Sequence, residues 1–557
     1  MFTKKKTELF PAAPKAKTGT APKKESPFLT AGKKKTATTT SANGAIKYAT
    51  TNNDFVDQFA SLSIWKAPRA IADIWTSQAT LWGLNARLSV MFMLFIRTIT
   101  RVVMFWDGSR TETPQRGSGL KHEAIGRELW LAIYQPDTFW KNVNLLIAVG
   151  SWKDIFKMMQ MDLVYNGWED KKLDFKKFAD LIIVGLTNSN QSELIKKYLP
   201  SIDARAKCTT VESQANTMIG KYLASEMNFS YTQYRKLKSG GSAHTWQKAI
   251  SQNRISDINF DTIHGRALML LATSKFLKNQ GLTETYKKWI EAKPVAKFTG
   301  FVCELAQKIH PGIESHVKST LNAQFEGLIE TAKQGVNTDT GFICVVDTSS
   351  SMGGYASGTT MTARSVAQSM SVYFSKLLTG HFANAWIEFN NTASMHTYKA
   401  TNFVDMFNEG MRNSFVGGTN FLSVINLLVS IKKKGIKEED FPTGILCLSD
   451  GEFNPGQLGK TNVESALSIL KSAGFSKEYC DNFKIVLWNI PNNYYGKPRV
   501  QFETFDDVKN VFYISGYDGS IVSFLLDGNY KGAPAVGSAE QLFQAAMDQE
   551  VLNKVDL

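Results

Sequence analysis

From Asn337 onward the chain alternates short apolar runs with amphipathic stretches, and no other feature restricts its fold as strongly. The runs are "GFICVVD", "NAWIEF", "GILCLSD", "KIVLWNI" and "NVFYIS". Between them, apolar residues recur at helical spacing from about Thr362 to Leu378, from Phe421 to Ile431 and near 463 to 473. Apolar runs this short, bounded by turn residues, read as buried strands. Alternation of strand and helix predicts a parallel, doubly wound sheet, in which ligands sit at the carboxyl ends of strands where the chain order reverses. The loops after Asp347 and Asp450 leave strands at those ends.

The preceding part has a different grammar. From about 52 to 335, "DFVDQFASLSIWKA", "GRELWLAIYQ", "DFKKFADLIIVGL", "SELIKKYL", "HGRALMLLATSKFLKN" and "ETYKKWIEA" all space apolar residues by three and four, which predicts a helical array. Polar breaks at 187–191 ("TNSNQ") and 238–244 ("KSGGSAH") fit turns between antiparallel helices of a stacked, HEAT-like repeat, although no clean period emerges. The expected fold is therefore multidomain: an α-helical repeat domain over 49–336, then an α/β doubly wound (Rossmann-like) domain over 337–530. A C-terminal segment, 531–557, could pack back on the helices.

Residues 1–48 are a low-complexity mixture of Lys, Thr, Ala, Ser and Pro, too poor in apolar surface to offset ordering entropy, so a disordered basic tail is expected. The first 50 residues hold eleven Lys against two acids, within a net charge of +14 for the 557 residues. Residues 51–336 hold 36 basic and 26 acidic residues, and 337–557 hold 17 and 22. The tail is either an electrostatic anchor for a polyanion or a solubilising segment. Five widely spaced cysteines without a CxxC pair argue against a disulfide framework or a zinc site and favour a reducing, cytoplasmic setting. The apolar window from Leu88 is broken by Arg97 and Arg101, which predicts a buried helix and no membrane span.

Asp347, Ser349 and Ser351 place one carboxylate and two hydroxyls at alternate positions of a tight loop, as hard oxygen donors. Mg²⁺ prefers oxygen ligands in near-octahedral array, and a site made mostly of neutral hydroxyls leaves it able to take a further carboxylate. Thr419, in "VGGTNF", and Asp450, in "LSDGEF", supply the same chemistry from two other loops. Capping Ser and Asp residues and a Gly-Gly turn would account for each motif singly. Together the five positions match the D-x-S-x-S, Thr and Asp pattern of the von Willebrand factor A (vWA) domain, which this half resembles. The resemblance implies a Mg²⁺ (or other divalent cation) adhesion site, with Ser349, Ser351 and Thr419 on the metal and Asp347 and Asp450 acting largely through water.

The stretch 115–158, "KYLPS" at 197–201 and "YRKLKS" at 234–239 resemble the TROVE module of Ro-type RNA-binding proteins, in which helical repeats form a ring closed by a vWA domain. Taken with "SDGEF", "VLWNI" and "SGYDGSIVSFLL", the chain is most similar to an uncharacterised TROVE-plus-vWA branch from bacteria, phages and large viruses. "DTIHGRA" at 261–267 and the basic tail depart from the Ro pattern. The resemblance implies binding of structured or single-stranded non-coding RNA. Residues 201–300 hold 15 basic and 7 acidic residues, so Lys207, Arg235, Lys236, Lys238, Arg254 and Arg266 are candidate phosphate contacts, with Tyr231, Tyr234 and Trp246 interleaved for stacking. Solvated helix faces and core aromatics explain the same residues.

His244, His264, His310 and His316 have no paired nucleophile motif, and no phosphate-binding loop, HExxH or GxSxG pattern stands out, which points to a binding protein and no enzyme. Three functions stay open: a Ro-like ribonucleoprotein component with an acidic protein ligand at the cation site; a structural or virion-associated protein whose tail touches packaged nucleic acid; and an adaptor presenting an acidic client to a partner ATPase.

Overall fold

The computed structural model describes residues 38–202, 210–240, 254–334, 341–379, 381–412, 417–504, 508–526 and 537–557, with Trp246, Ala249, Ile250 and Gln252 between. Its helical half comprises α1 (Asp54–Ala60), α2 (Ile71–Leu84), α3 (Ala86–Arg97), α4 (Lys121–Tyr134), α5 (Pro136–Val149), α6 (Trp152–Asn166), α7 (Phe175–Thr187), α8 (Ser192–Tyr198), α9 (Val211–Glu226), α10 (Tyr231–Gly240), α11 (Gly265–Thr273), α12 (Phe276–Asn279), α13 (Thr283–Glu291), α14 (Val302–Ala306) and α15 (Ser315–Lys333). The apolar window from Leu88 folds partly as expected: residues 89–96 of α3 are all buried, but the helix stops at Arg97. Among the described residues no helix is long and apolar enough to cross a membrane.

The C-terminal half is a six-stranded sheet with flanking helices. A short N-terminal hairpin, β1 (Thr38–Thr40) and β2 (Ile46–Tyr48), precedes the sheet strands β3 (Phe342–Asp347), β4 (Ala385–Phe389), β5 (Ala393–Thr397), β6 (Gly444–Ser449), β7 (Lys484–Asn489) and β8 (Val511–Ser515). The order is β5-β4-β3-β6-β7-β8, parallel throughout except for the antiparallel β4–β5 pair. The five apolar runs are the five parallel strands. Strand β5 has no such run because it is an edge strand with no buried residue. The helices are α16 (Ala363–Leu377), α17 (Phe403–Met411), α18 (Leu422–Lys432), α19 (Asn462–Ser472), α20 (Lys477–Asn482), α21 (Ser523–Leu526), α22 (Ala539–Met547) and α23 (Glu550–Asn553). Helix α16 lies across β3, β4 and β6 and packs on α14, α15 and α17 as well, so nearly every residue along it is buried.

The helical region meets the sheet half at both of its ends. At one end α1 packs on β8 and on α22, and α3 packs on α22 and α23. Asp556 and Asn142 exchange hydrogen bonds there, and the Gln549 amide bonds the Arg116 backbone in both directions. At the other end Phe325 of α15 stacks on Phe403 of α17 at 4.4 Å, beside a 2.7 Å Lys318–Asp405 ion pair. A second, smaller core gathers Phe260, Leu268, Tyr286 and Ile290, separate from the main core.

One boundary shifts. Residues 38–48, expected within the disordered tail, form the β1–β2 hairpin, closed at Asn43-Gly44 with Gly44 at φ +84°, and dock on the sheet half. Its Tyr48 pairs with Phe502, and its Lys47 forms an ion pair with Glu503, each side chain only 1% exposed. Lys47 also lies 4.2 Å from the centre of the Phe453 ring, and the second Glu503 oxygen accepts the Val463 N–H at 3.2 Å. Residues 1–37 lie outside the described residues. Removing one partner of a buried ion pair leaves a charge without compensation, so Glu503→Ala should cost about 3–5 kcal/mol in urea unfolding. The double change Lys47→Met with Glu503→Leu should cost less than either single change.

Candidate functional site

Strand β3 feeds α16 and then β4 on one side, whereas β6 feeds α19 and then β7 on the other, so the loops after β3 and β6 diverge and leave a crevice at their carboxyl ends. Val346 pairs with Leu448, which brings Asp347 beside Ser449. The fully buried Asp347 carboxylate spans this gap: Oδ1 accepts the Ser349 N–H at 2.8 Å and Oδ2 accepts the Ser449 hydroxyl at 2.6 Å. The hydroxyls of Ser349 and Ser351 lie 3.1 Å apart, and Ser351 also bonds the Asp450 carboxyl group.

The other loops are tied to the first. The N–H and hydroxyl of Ser350 both donate to the Gly417 carbonyl at 3.2 Å, joining the "TSSSMGG" loop to the "VGGTNF" loop. Gly417 sits at φ +100°, a backbone conformation that favours glycine, with the Asn391 amide packed where a side chain would start. Asn454 accepts the Thr419 N–H at 3.3 Å and returns its own N–H to the Thr419 carbonyl at 2.8 Å, joining the second loop to the third. Thr419 is thereby buried at the junction. Asn492, in the loop after β7, donates to Asp450 at 2.9 Å and adds a fourth loop. Thus all five candidates, Asp347, Ser349, Ser351, Thr419 and Asp450, are buried on loops that hydrogen bonds hold together at one edge of the sheet. Asn391, Asn454 and Asn492 belong to no motif, and their only sequence signal is a position just beyond an apolar strand or beside a glycine turn.

Burial makes ionisation of both carboxylates costly at this edge. Burial, and then the Asp450 charge, push the Asp347 carboxyl up from its ordinary range toward neutrality. Burial likewise raises Asp450, against the hydrogen bonds from Asn492, the Glu452 N–H and Ser351. Two buried carboxylates amid hydroxyls and amides form a hard-oxygen donor set that fits Mg²⁺ or a similar divalent cation. Among the described residues no group of three or more His, Cys, Asp and Glu is placed to hold a metal, so any cation here would depend on the hydroxyls.

The basic candidates are not brought together in the same way. Lys207 lies outside the described residues, as does His244. Arg235 donates twice to the Ile202 carbonyl, and Lys238 donates to the Leu199 carbonyl. Lys236 is exposed on α10. Arg254 pairs with Asp257, and Arg266 pairs with Glu304 through two hydrogen bonds. Tyr231 is exposed, Tyr234 is buried with its hydroxyl on the Pro200 carbonyl, and Trp246 packs against the smaller core. His310 bonds the Pro311 carbonyl, and buried His316 bonds the Ala272 carbonyl. His264 is exposed at the start of α11.

Residues 341–554 match a family model described as a domain of unknown function (DUF7788), which spans the whole sheet half from β3 to the last helix. No curated protein matches the chain.

A raised carboxyl pKa in the folded state means that folding retains a proton the unfolded chain has lost, so metal-free stability falls as pH rises from the ordinary Asp range toward neutrality. A tenfold change in proton affinity corresponds to about 1.4 kcal/mol, so Asp347→Asn should raise metal-free stability at pH 8 by on the order of 1 kcal/mol. The same substitution should leave stability little changed at about pH 3, where the folded and unfolded chains both hold most of that proton. Thermal melts in EDTA at the two pH values measure this.

Proposed function

We propose that this chain is a non-catalytic binding protein of the TROVE-plus-vWA kind. In this reading the sheet half is a vWA domain in which Asp347, Ser349, Ser351, Thr419 and Asp450 hold a divalent cation, such as Mg²⁺, that docks a carboxylate of an acidic protein. The observation that carries it is the pair of buried carboxylates, Asp347 and Asp450, set among hydroxyls at the switch point of the sheet. A cation there offsets the mutual repulsion and, with mostly neutral ligands, retains affinity for one more carboxylate.

The helical half, in the same reading, is a degenerate repeat array that holds RNA. Its support is the charge contrast between residues 51–336, with 36 basic and 26 acidic residues, and residues 337–557, with 17 and 22. The basic tail would add a sequence-independent attraction to phosphates. The adaptor reading gains from the carboxylate partners already held by Arg254 and Arg266, which leave fewer cations for RNA in that part.

Pull-down from a lysate of the source cells, with and without Mg²⁺, separates these roles. Asp347→Ala should abolish the Mg²⁺-dependent protein partner and leave ultraviolet crosslinking to RNA unchanged. Recovery of no RNA above an unirradiated control would remove the RNA role and leave the adaptor.

A further inference from the structure

A second site lies within the helical half. The first turn of α4, the first half of α6, the end of α8 and parts of α9 and α10 border an open cavity of about 670 Å³, within the usual size range for small-molecule sites. Lys121, Lys153, Lys157, Lys197 and Lys238 line it together with His122, and among the described residues no Asp or Glu does. Phe156, Met161 and Tyr198 supply an apolar wall. These lysines come from four helices and fall outside any single basic run, so only the packing of the helices collects them.

The surrounding charges do not cancel this field. Asp154, the acid next to Lys153 on α6, is buried and bonded to Arg97 at 2.7 Å and Lys121 at 3.1 Å. Glu128 is also buried. Burial, and then the Asp154 charge, push its carboxyl up to about 8, so at neutral pH it is largely uncharged. Burial, and then the Lys153 ammonium, hold the Lys197 amine below its usual range, so the cavity's cations repel one another. Lys153 is exposed and has no ion pair among the described residues. Two helix starts add to the field. Neither Leu120, before the 14-residue α4, nor Ser151, before the 15-residue α6, caps its helix with a side chain. Lys121, His122 and Lys153 carry both first turns into the lining. Uncapped N–H groups and the positive end of a helix both favour a bound phosphate.

We propose that this cavity binds a nucleoside polyphosphate, with its phosphates among the lysines and the two helix starts and its base against Phe156, Met161 and Tyr198. Cations spread over two helix starts suit two or three linked phosphates better than one. The apolar and aromatic side chains of Phe156, Met161 and Tyr198 suit a base ring. The same phosphate chemistry could come from a free nucleotide or from an RNA chain, and the test separates them. The proposal is independent of the cation site at the sheet edge.

The test is calorimetric titration of the full chain in EDTA with ATP, GTP, AMP, inorganic triphosphate and a short single-stranded RNA bearing a 5′-hydroxyl. The triphosphates should bind at least about tenfold more tightly than AMP. Lys153→Glu with Lys157→Glu should weaken ATP by about tenfold or more, whereas Asp347→Ala should not. An acid in a helix's first turn is well tolerated, so Lys153→Glu alone serves if the double variant melts early. The absence of nucleotide binding at millimolar concentration would overturn the proposal, as would ATP affinity unchanged by charge reversal. Binding of the RNA with no binding of free nucleotide would also overturn it, assigning the lysines to an RNA chain.

Discussion

Asp347 ends the central strand with its carboxylate buried between two strands whose chains leave in opposite directions, and the arrangement around it follows from that placement. A carboxylate there must find donors, and it takes the Ser449 hydroxyl from the neighbouring strand and the Ser349 N–H from its own loop. Both bonds fix where the next hydroxyls and Asp450 fall. The second carboxylate then makes the site electrostatically costly when both are ionised, which is the condition under which a divalent cation contributes most. Amides from Asn492 and Asn454 steady the loops without adding charge.

Much of the remaining chain braces this edge. The β1–β2 hairpin donates to the loop after β6: Ser41 to the Phe453 carbonyl at 2.9 Å and Asn43 to the Glu452 carbonyl at 2.6 Å. Ser63 bonds the Asn489 carbonyl and the Ser515 hydroxyl at the ends of β7 and β8, and Ser357 bonds the Ile64 carbonyl. The start of the chain's helical half is thus stitched along the same sheet edge that carries the candidate cation site. With α15 against α17 at the far end of the array and α22 and α23 on α3, the two halves share extensive packing.

The parallel strands were legible because burial on both faces leaves an uninterrupted apolar run, and Asp347 and Asp450 were legible as the acids that end two such runs. Strand β5, "ASMHT", was not: an antiparallel edge strand with no buried side chain has neither an apolar run nor a clean alternation. The hairpin at 38–48 was hidden in a Thr-, Lys- and Ala-rich stretch, where Asn43-Gly44, a common hairpin turn, was the one local signal. Charge was the least transferable feature. Residues 201–300 are basic in sequence, yet Arg235, Arg254 and Arg266 are engaged by carbonyls or carboxylates, while Lys121, Lys153, Lys157 and Lys197, spread along the chain, meet at one cavity. Linear density of charge says little about where a folded helical array concentrates it.

The proposed role of the hydroxyls and carboxylates at the switch point is to hold one divalent cation. Titration of the purified chain with Mn²⁺, followed by electron paramagnetic resonance, tests it directly. One bound ion per chain is expected, displaced by Mg²⁺ and lost when Ser349 and Ser351 are both changed to Ala, with the thermal transition in EDTA preserved. No bound ion in the unaltered chain, or binding untouched by the double substitution, would contradict it.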